Sequence, residues 1–297
     1  MRDQFDVVII GSGAGGAPIA HVLAQAGRSV LVIEKGPLLS AQYQNPRGLS
    51  EYKRDELVAT GSEKRIQHPV ANQGESFYTS HVEPDLNDEP HIYRGADGND
   101  RVTIEGYTAQ VVGGGTNLYG AVSLRFTPDD LRLRSYNDGR TDLRNDPNGD
   151  VQREARDWPI SYEELEPYYC QAEKLVGING TRTNQAKAFS EDNYQTPLEP
   201  NPISRFAEIG MDALGMARYR TPLAVITQDH APSGRKAYPP KTGFVNRYGD
   251  PLGLKSNTWV SLLWPVIGQT DLELWPNCVV THLESAGPQV TQVHFRD

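Results

Sequence analysis

The amino-acid sequence predicts an α/β fold: a Rossmann-like unit, incomplete in the sequence given, with inserted irregular and helical segments and a C-terminal β-meander. Three observations predict it. A strand, a glycine-rich turn, a helix and a second strand follow one another within residues 5–34. Residues 40–100 are polar and broken by prolines, and short apolar runs separated by turn residues fill 272–295. These patterns are typical of a βαβ unit, an insertion and a series of antiparallel strands.

Length and composition indicate a globular chain of roughly two domains. It has 297 residues, of which 37% are hydrophobic and 23% charged, enough for a packed core. Acidic residues outnumber basic ones by 38 to 29, and the net charge of −9 has the wrong sign for binding nucleic acid. Two cysteines exclude a disulfide scaffold and a cysteine-based metal site. The spacing of His68, His81 and His91 matches no metal motif either, so no metal site is predicted.

The sequence shows no pattern for export or membrane insertion. No apolar run approaches the ~20 residues that a membrane helix needs. The N-terminal apolar run, Val7–Ile10, is far shorter than the ~7–15 residues of a secretory signal. We therefore expect a cytoplasmic protein without a transmembrane segment. Export to the periplasm together with a partner that carries its own signal stays open.

The first forty residues carry the most specific motif. Phe5–Ile10 is typical of a strand buried on both faces, Ala17–Ala26 has helical spacing, and Ser29–Ile33 is a second strand. Between the first strand and the helix, the run Gly11-Ser12-Gly13-Ala14-Gly15-Gly16 fits G-x-G-x-x-G. Glu34 closes the second strand about 20 residues after the first glycine, as the dinucleotide-binding fingerprint requires.

Each residue of this fingerprint has a physical task. Gly11 permits the tight turn, Gly13 lets the backbone approach a pyrophosphate, and Gly16 lets the helix pack closely on the strand. The first amides of the helix point at the phosphates, where the helix dipole favours negative charge. The Glu34 carboxylate accepts hydrogen bonds from ribose hydroxyls and repels a 2′-phosphate. We therefore expect FAD or NAD as the ligand, and not NADP.

A second glycine-rich segment lies between apolar runs at residues 109–121. The run Gly113-Gly114-Gly115-Thr116 provides a backbone that can lie flat against a ligand, and its successive amides offer a site for an anion or a carbonyl oxygen. Taken alone, the segment is equally compatible with a flexible turn.

Two helices are predicted in the middle of the chain. Ser161 and Glu164 form a capping box before a helix that Pro167 restarts and Gly177 ends, and 204–214 is a shorter helix. On the first of these helices, the residues expected to face the core are Tyr168, Tyr169, Leu175 and Cys170. Cys170 is expected to serve packing and not nucleophilic chemistry, because no histidine is near it in sequence.

These segments resemble the glucose–methanol–choline oxidoreductases, which are FAD enzymes acting on alcohols and sugars. As in that family, the opening turn continues to Ala20 and the second strand closes with Glu34-Lys35-Gly36. Gly113–Thr116 resembles the signature that contacts the flavin side of FAD. Trp158-Pro159-Ile160, before a tyrosine-rich helix, resembles the gluconate, fructose and sorbitol dehydrogenase branch. Pro276–Val280 resembles the strand whose backbone meets the adenine.

The resemblance implies FAD as the cofactor and a CH–OH group of a sugar, sugar acid or polyol as the reacting group, with hydride passing to flavin N5. It also suggests a small subunit and a cytochrome electron acceptor as partners, while oxygen and a quinone stay open as alternative acceptors. Motif and resemblance together give the predicted cofactor-binding residues: Gly11, Ser12, Gly13, Ala14, Gly15, Gly16, Glu34, Lys35, Gly113, Gly114, Gly115, Thr116, Leu118, Gly120 and Val279.

The sequence departs from the family pattern in three respects. Tyr119 stands where Asn or His often follows the glycines, and Gly243–Asp250 lacks the cysteine cluster that relatives of this branch often carry. Family members are longer, with the catalytic His and its His or Asn partner in their C-terminal half. No catalytic residue is therefore predicted within this chain, and His230, His282 and His294 receive no role.

We accordingly expect a truncated chain, in which only two parallel strands are apparent. Residues 1–40, 101–125 and 255–297 are predicted to form parts of the FAD-binding domain. Residues 41–100 are predicted as an irregular insertion and 126–254 as a helical insertion on the substrate side, with the C-terminal catalytic half absent. Two alternatives stay open: an NAD-dependent dehydrogenase, and a non-catalytic cofactor-binding fragment that needs another chain.

Overall fold

The computed structural model describes residues 2–36, 38, 91–103, 109, 111–117, 119–138, 154–183, 185–237 and 253–297. The chain divides into two compact units, Met1–Ala121 with Asp229–Asp297, and Val122–Gln228. The predicted irregular insertion is therefore described only over its last ten residues, and Gly243–Asp250 lies outside the described residues.

The described strands are β1 (Val7–Ile10), β2 (Val30–Ile33), β3 (His91–Arg94), β4 (Asp100–Thr103), β5 (Leu272–Trp275), β6 (Val279–Ala286) and β7 (Gln289–Arg296). The described helices are α1 (Gly16–Gln25), α2 (Leu133–Asn137), α3 (Tyr162–Val176) and α4 (Pro202–Ala213). A single-turn 3₁₀ helix spans Gly114–Asn117, and a π-helical turn spans Trp259–Leu263. No described helix is both long enough and apolar enough to cross a membrane.

A parallel sheet forms the centre of the first unit, in the order β1-β2-β5. Leu31 of β2 lies opposite Val8 of β1 on one side and Glu273 of β5 on the other. All four residues of β2 are buried, as expected for the central strand of a parallel sheet covered on both faces. The predicted βαβ unit and the α/β fold class are confirmed.

The C-terminal strands differ from the prediction. The sequence places Leu272–Leu274 in a β-meander and leaves only two parallel strands, whereas β5 is a third parallel strand and only β6 and β7 form an antiparallel pair. Asn277 has a positive φ of 59° and redirects the chain after β5. The amides of Asn277 and Cys278 then donate to the carbonyls of Gly36 and Glu34, so the chain follows the end of β2 and does not return along β5.

The end of the predicted irregular insertion also differs from the prediction. β3 and β4 pair as an antiparallel hairpin over residues 91–103. Gly98, with a φ of 79°, and the Asp97 carboxylate, which accepts from the Asn99 amide at 3.1 Å, form the connecting turn. The turn residues Asp-Gly-Asn are a known hairpin signal, which is hard to recognise when the strands on either side are short and polar.

Helix α1 packs on the sheet through small residues. Its buried residues, Ala17, Ala20, His21 and Ala24, follow helical spacing and form one face. His21 Nδ1 lies 2.8 Å from the carbonyl oxygen of Leu262 and thereby connects the helix to the π-helical turn. Gly27 ends the helix, as predicted, with a φ of 79° that favours glycine.

The second unit contains α3, and the predicted capping box of Ser161 and Glu164 is present at its start. The helix continues through Pro167 without the predicted restart. Its buried residues are Tyr162, Glu166, Cys170 and Glu173. The expectation that Tyr168 faces the core is wrong, since this side chain is 65% exposed.

The buried face of α3 surrounds a guanidinium. Arg125 is 3% exposed and donates to both oxygens of Glu173, at 2.7 and 2.6 Å, and to Glu166 Oε1 at 2.8 Å. The Ser190 amide and the Arg125 guanidinium lower the pKa of the Glu166 carboxyl to about 2. Cys170, buried as expected, completes the cluster by donating its thiol proton to Glu166 at 3.1 Å. Two carboxylates can be buried here because one cation serves both.

Replacing Arg125 with Met tests this cluster. The change leaves two buried carboxylates unpaired, so we expect the free energy of unfolding to fall by about 3–5 kcal/mol in urea denaturation followed by circular dichroism. Arg205→Met is the matched control, because Arg205 pairs with Glu199 at the exposed surface, where ion pairs contribute little. An Arg125→Met chain as stable as the wild type would show that the cluster does not hold this unit together.

Candidate cofactor site

The glycine-rich turn connects β1 to α1 at the carboxyl end of the sheet. Gly11 has a φ of 94°, a conformation that side chains other than glycine rarely adopt. A Cβ on Gly16 would lie 2.1 Å from the carbonyl oxygen of Gly11, so only glycine lets the helix start this close to the strand. The fold itself therefore requires glycine at these two positions.

Gly13 differs from these two glycines. A Cβ added there would find its nearest neighbour, the Cα atom of Gly114, at 3.9 Å, which is an ordinary contact. The fold itself does not require glycine at this position. The space beside Gly13 is thus available to a ligand that approaches the backbone.

The N-terminus of α1 presents amides that no group in the described part of the chain satisfies. Within the described residues, four successive N–H groups make no hydrogen bond, those of Gly13, Ala14, Gly15 and Gly16. The helix has no side-chain cap and no acidic residue in its first turn. Because open amides and the positive end of the helix dipole converge here, the turn fits the diphosphate of a dinucleotide.

The Glu34 carboxylate lies behind the turn and is 7% exposed. Its Oε2 atom accepts from the amide of Ser12 at 2.9 Å and from its hydroxyl at 2.6 Å, and its Oε1 atom accepts from the Gly36 amide at 2.9 Å. A carboxylate offers about four acceptor positions, so these bonds leave one for a ribose hydroxyl. Glu34 thus holds the turn in place, a task that the sequence motif alone does not reveal.

The second glycine-rich segment lies directly against the first turn. The Gly113 amide donates to Ser12 Oγ at 2.9 Å, and a Cβ on Gly114 would lie 3.1 Å from the Cα atom of Gly13. Both Gly113 and Gly114 have positive φ, at 97° and 54°. The sequence alone leaves open whether this segment is a turn or part of the site, and the structure brings it beside the turn at Gly13.

Thr258 connects the two glycine-rich segments, and no sequence motif identifies it. Its hydroxyl donates to the carbonyl oxygen of Ser12 at 2.8 Å, and its amide donates to Thr116 Oγ1 at 3.0 Å. Thr116 in turn donates to the carbonyl oxygen of Gly113 at 2.5 Å. Residues far apart in sequence therefore fix the relative position of both segments.

The far end of the second segment is held by a buried lysine. Lys255 is 1% exposed, and its Nζ atom donates to the carbonyl oxygens of Asn117 at 2.7 Å and Tyr119 at 3.1 Å. Tyr119 donates its phenolic proton to the carbonyl of Ser256 at 2.8 Å, and burial raises its pKa above the ordinary value. The tyrosine that departs from the family pattern is thus bonded within the protein.

The remaining predicted residues lie around this centre. Lys35 follows Glu34 and is half-buried, while Gly115 and Gly120 are exposed. Val279 begins β6, directly after Cys278, whose amide donates to the carbonyl of Glu34 at 2.9 Å. The backbone of β6 therefore starts beside the end of β2. Leu118 lies outside the described residues.

The geometry first defines a class of protein. A tight glycine turn at the carboxyl end of a parallel strand, open amides at a helix N-terminus and an acidic residue at the end of the neighbouring strand together describe a dinucleotide-binding α/β protein.

Comparison with known proteins narrows this class. Residues 6–51 match the FAD_binding_2 family, described as an FAD binding domain. Similar proteins include the 6'''-hydroxyparomomycin C oxidase of Streptomyces lividus, 25% identical over 91% of this chain and 40% of its own length. The paromamine 6'-oxidase of Streptomyces fradiae is 29% identical over 78% of this chain and 33% of its own. The fructose dehydrogenase large subunit of Gluconobacter japonicus is 28% identical over 74% of this chain and 36% of its own length.

The chain spans two fifths or less of the length of these relatives. The family match shows an FAD-binding segment, and the relatives make the chain similar to flavoproteins of the glucose–methanol–choline type, which supports FAD as the cofactor.

Substituting Gly13 tests the open turn. A Gly13→Ala change leaves the fold intact, because the added methyl group makes only ordinary contacts within the protein. The same methyl group stands where the pyrophosphate approaches, so we expect FAD affinity in a fluorescence titration to fall ~10-fold or more while the thermal unfolding curve stays unchanged.

The matched control is Gly210→Ala in α4, where an added Cβ meets no atom within 4 Å. It should leave FAD affinity at the wild-type level. A Gly13→Ala chain that binds FAD as tightly as this control would contradict the placement of the diphosphate at this turn.

Proposed function

We propose that this chain provides the FAD-binding part of an oxidoreductase that acts on the CH–OH group of a sugar, sugar acid or polyol. The observation that carries the proposal is the row of four open amides at the start of α1, beside the buried Glu34 carboxylate. Bound FAD would supply the hydride acceptor for this oxidation. The chain's own residues bind and orient the cofactor.

Each described segment has a distinct task in this proposal. The amides of Gly13–Gly16 bind the diphosphate, and the remaining acceptor position of Glu34 binds a ribose hydroxyl. The backbone at Val279 meets the adenine, since β6 starts beside the end of β2. Gly113–Thr116 orients the flavin side, because Ser12 and Thr258 fix this segment against the turn. We assign no catalytic base within the chain.

The names of the relatives support the substrate class. Two of them are oxidases named for paromomycin-type and paromamine substrates, and others are named as dehydrogenases of fructose, gluconate and a propanediol. All of these compounds carry CH–OH groups. The fructose enzyme is named as a large subunit, which supports a multi-subunit assembly for this protein as well.

Reconstitution with cofactor tests the FAD-binding role. The purified chain is incubated with FAD or with NAD, freed of unbound ligand by gel filtration, and examined by absorption spectroscopy. We expect about one flavin per chain, seen as a band near ~450 nm, and no retained NAD. A chain that retains NAD and no flavin would overturn the proposal.

Anaerobic addition of alcohols to the flavin-loaded, full-length protein tests the activity. Fructose, gluconate, a propanediol and an aminoglycoside are compared with control compounds that carry no CH–OH group. Bleaching of the flavin band by at least one alcohol, and by none of the controls, is expected. A flavin that binds fully and is bleached by no alcohol would reject the activity while leaving the cofactor assignment intact.

A further inference from the structure

The hairpin of β6 and β7 carries two histidines and a glutamate that the cofactor site does not use. His282 on β6 lies directly opposite His294 on β7, and Glu284 follows two residues after His282. Because side chains alternate between the two faces of a strand, residues 282 and 284 share a face, and the cross-strand partner of 282 shares it too. The three side chains therefore stand together on one face of the hairpin.

Their arrangement is close. The imidazole rings of His282 and His294 stack with centroids 4.0 Å apart and planes inclined by 11°. His294 Nε2 lies 2.8 Å from Glu284 Oε1. Each of the three residues offers one ligand atom, and these atoms all lie within 4.8 Å of one another.

Among the residues that the structure describes, one of these atoms finds no hydrogen-bond partner. His294 Nε2 is buried, and the nearby carboxylate oxygen does not meet the geometry of a hydrogen bond to it. A buried ring nitrogen usually finds a donor or an acceptor, and an unsatisfied one calls for a physical explanation. A cation bound between the imidazole and the carboxylate would satisfy both groups at once.

We infer that His282, Glu284 and His294 form a binding site for a divalent transition-metal ion of the zinc type. Two imidazoles and one carboxylate are typical ligands of Zn²⁺, with a fourth position left to water. Ligand atoms at ~2.0–2.2 Å from a tetrahedral ion are roughly 3.3 Å apart, so donors within 4.8 Å need only side-chain rotation to converge. Mg²⁺ prefers oxygen ligands and is not expected to bind.

The ion would join the two strands of the hairpin. β6 and β7 show register irregularities between Val280 and His282 and between Glu284 and Ser285, so their pairing is interrupted on both sides of the cluster. A metal bridge between His282 and His294 would fix the register at this position. Because the ion binds only the folded hairpin, it should stabilise the folded chain in proportion to its occupancy.

Isothermal titration of the untagged chain with ZnCl₂ tests the inference, since a histidine tag would compete for the ion. We expect one Zn²⁺ per chain, affinity reduced ~10-fold or more by His282→Gln or His294→Gln, and a smaller loss with Glu284→Gln. Glu199→Gln, an exposed carboxylate of the second unit, is the control and should bind like the wild type. MgCl₂ should give no binding heat.

A second measurement does not depend on the variants. In proton NMR spectra of the wild-type chain, substoichiometric Zn²⁺ should shift or broaden the ring signals of two histidines among the seven. No binding up to ~1 mM Zn²⁺ would overturn the inference, and so would wild-type affinity in both histidine variants or ring signals that Zn²⁺ leaves unchanged.

Discussion

The cofactor site depends on the hydrogen bonds that Ser12 makes through its hydroxyl and its carbonyl group. Its hydroxyl donates to Glu34 and accepts from the Gly113 amide, while its carbonyl accepts from Thr258. A buried carboxylate is stable only when it is hydrogen-bonded, and a hydrogen bond to a charged group contributes ~1.5–3 kcal/mol. Glu34 therefore fixes the position of the Ser12 side chain. Ser12 in turn fixes the second glycine-rich segment by accepting a hydrogen bond from the Gly113 amide.

This arrangement separates the groups that build the turn from those that face a ligand. Glu34 saturates the amide of Ser12, whereas the next four amides along the chain have no partner among the described residues. Gly11 and Gly16 are required by the backbone itself, while Gly13 leaves space beside it. The fold thus fixes the start of α1 rigidly and leaves its anion-binding groups open, which suits a diphosphate bound without rearrangement.

Local patterns predict the βαβ unit, the capping box and the α3 helix, because strands, glycine turns and caps are encoded within a few residues. The third parallel strand is not predictable in this way, since β5 is identified by pairing with β2 and not by its own pattern. The same holds for Thr258, which no motif marks. The burial of Cys170 on α3 is predictable, whereas that of Glu166 and Glu173 is not, because both are charged and only the contact with Arg125 explains their burial.

Hydrogen–deuterium exchange of the peptide that contains Gly11–Gly16 tests the central claim most directly. Without ligand, the amides of Gly13 to Gly16 should exchange rapidly, because the residues that the structure describes offer them no acceptor. Saturating FAD should slow exchange in this peptide, whereas a reference peptide from α4 should not change. If FAD binds and the exchange of this peptide stays the same, the diphosphate does not lie at the start of α1.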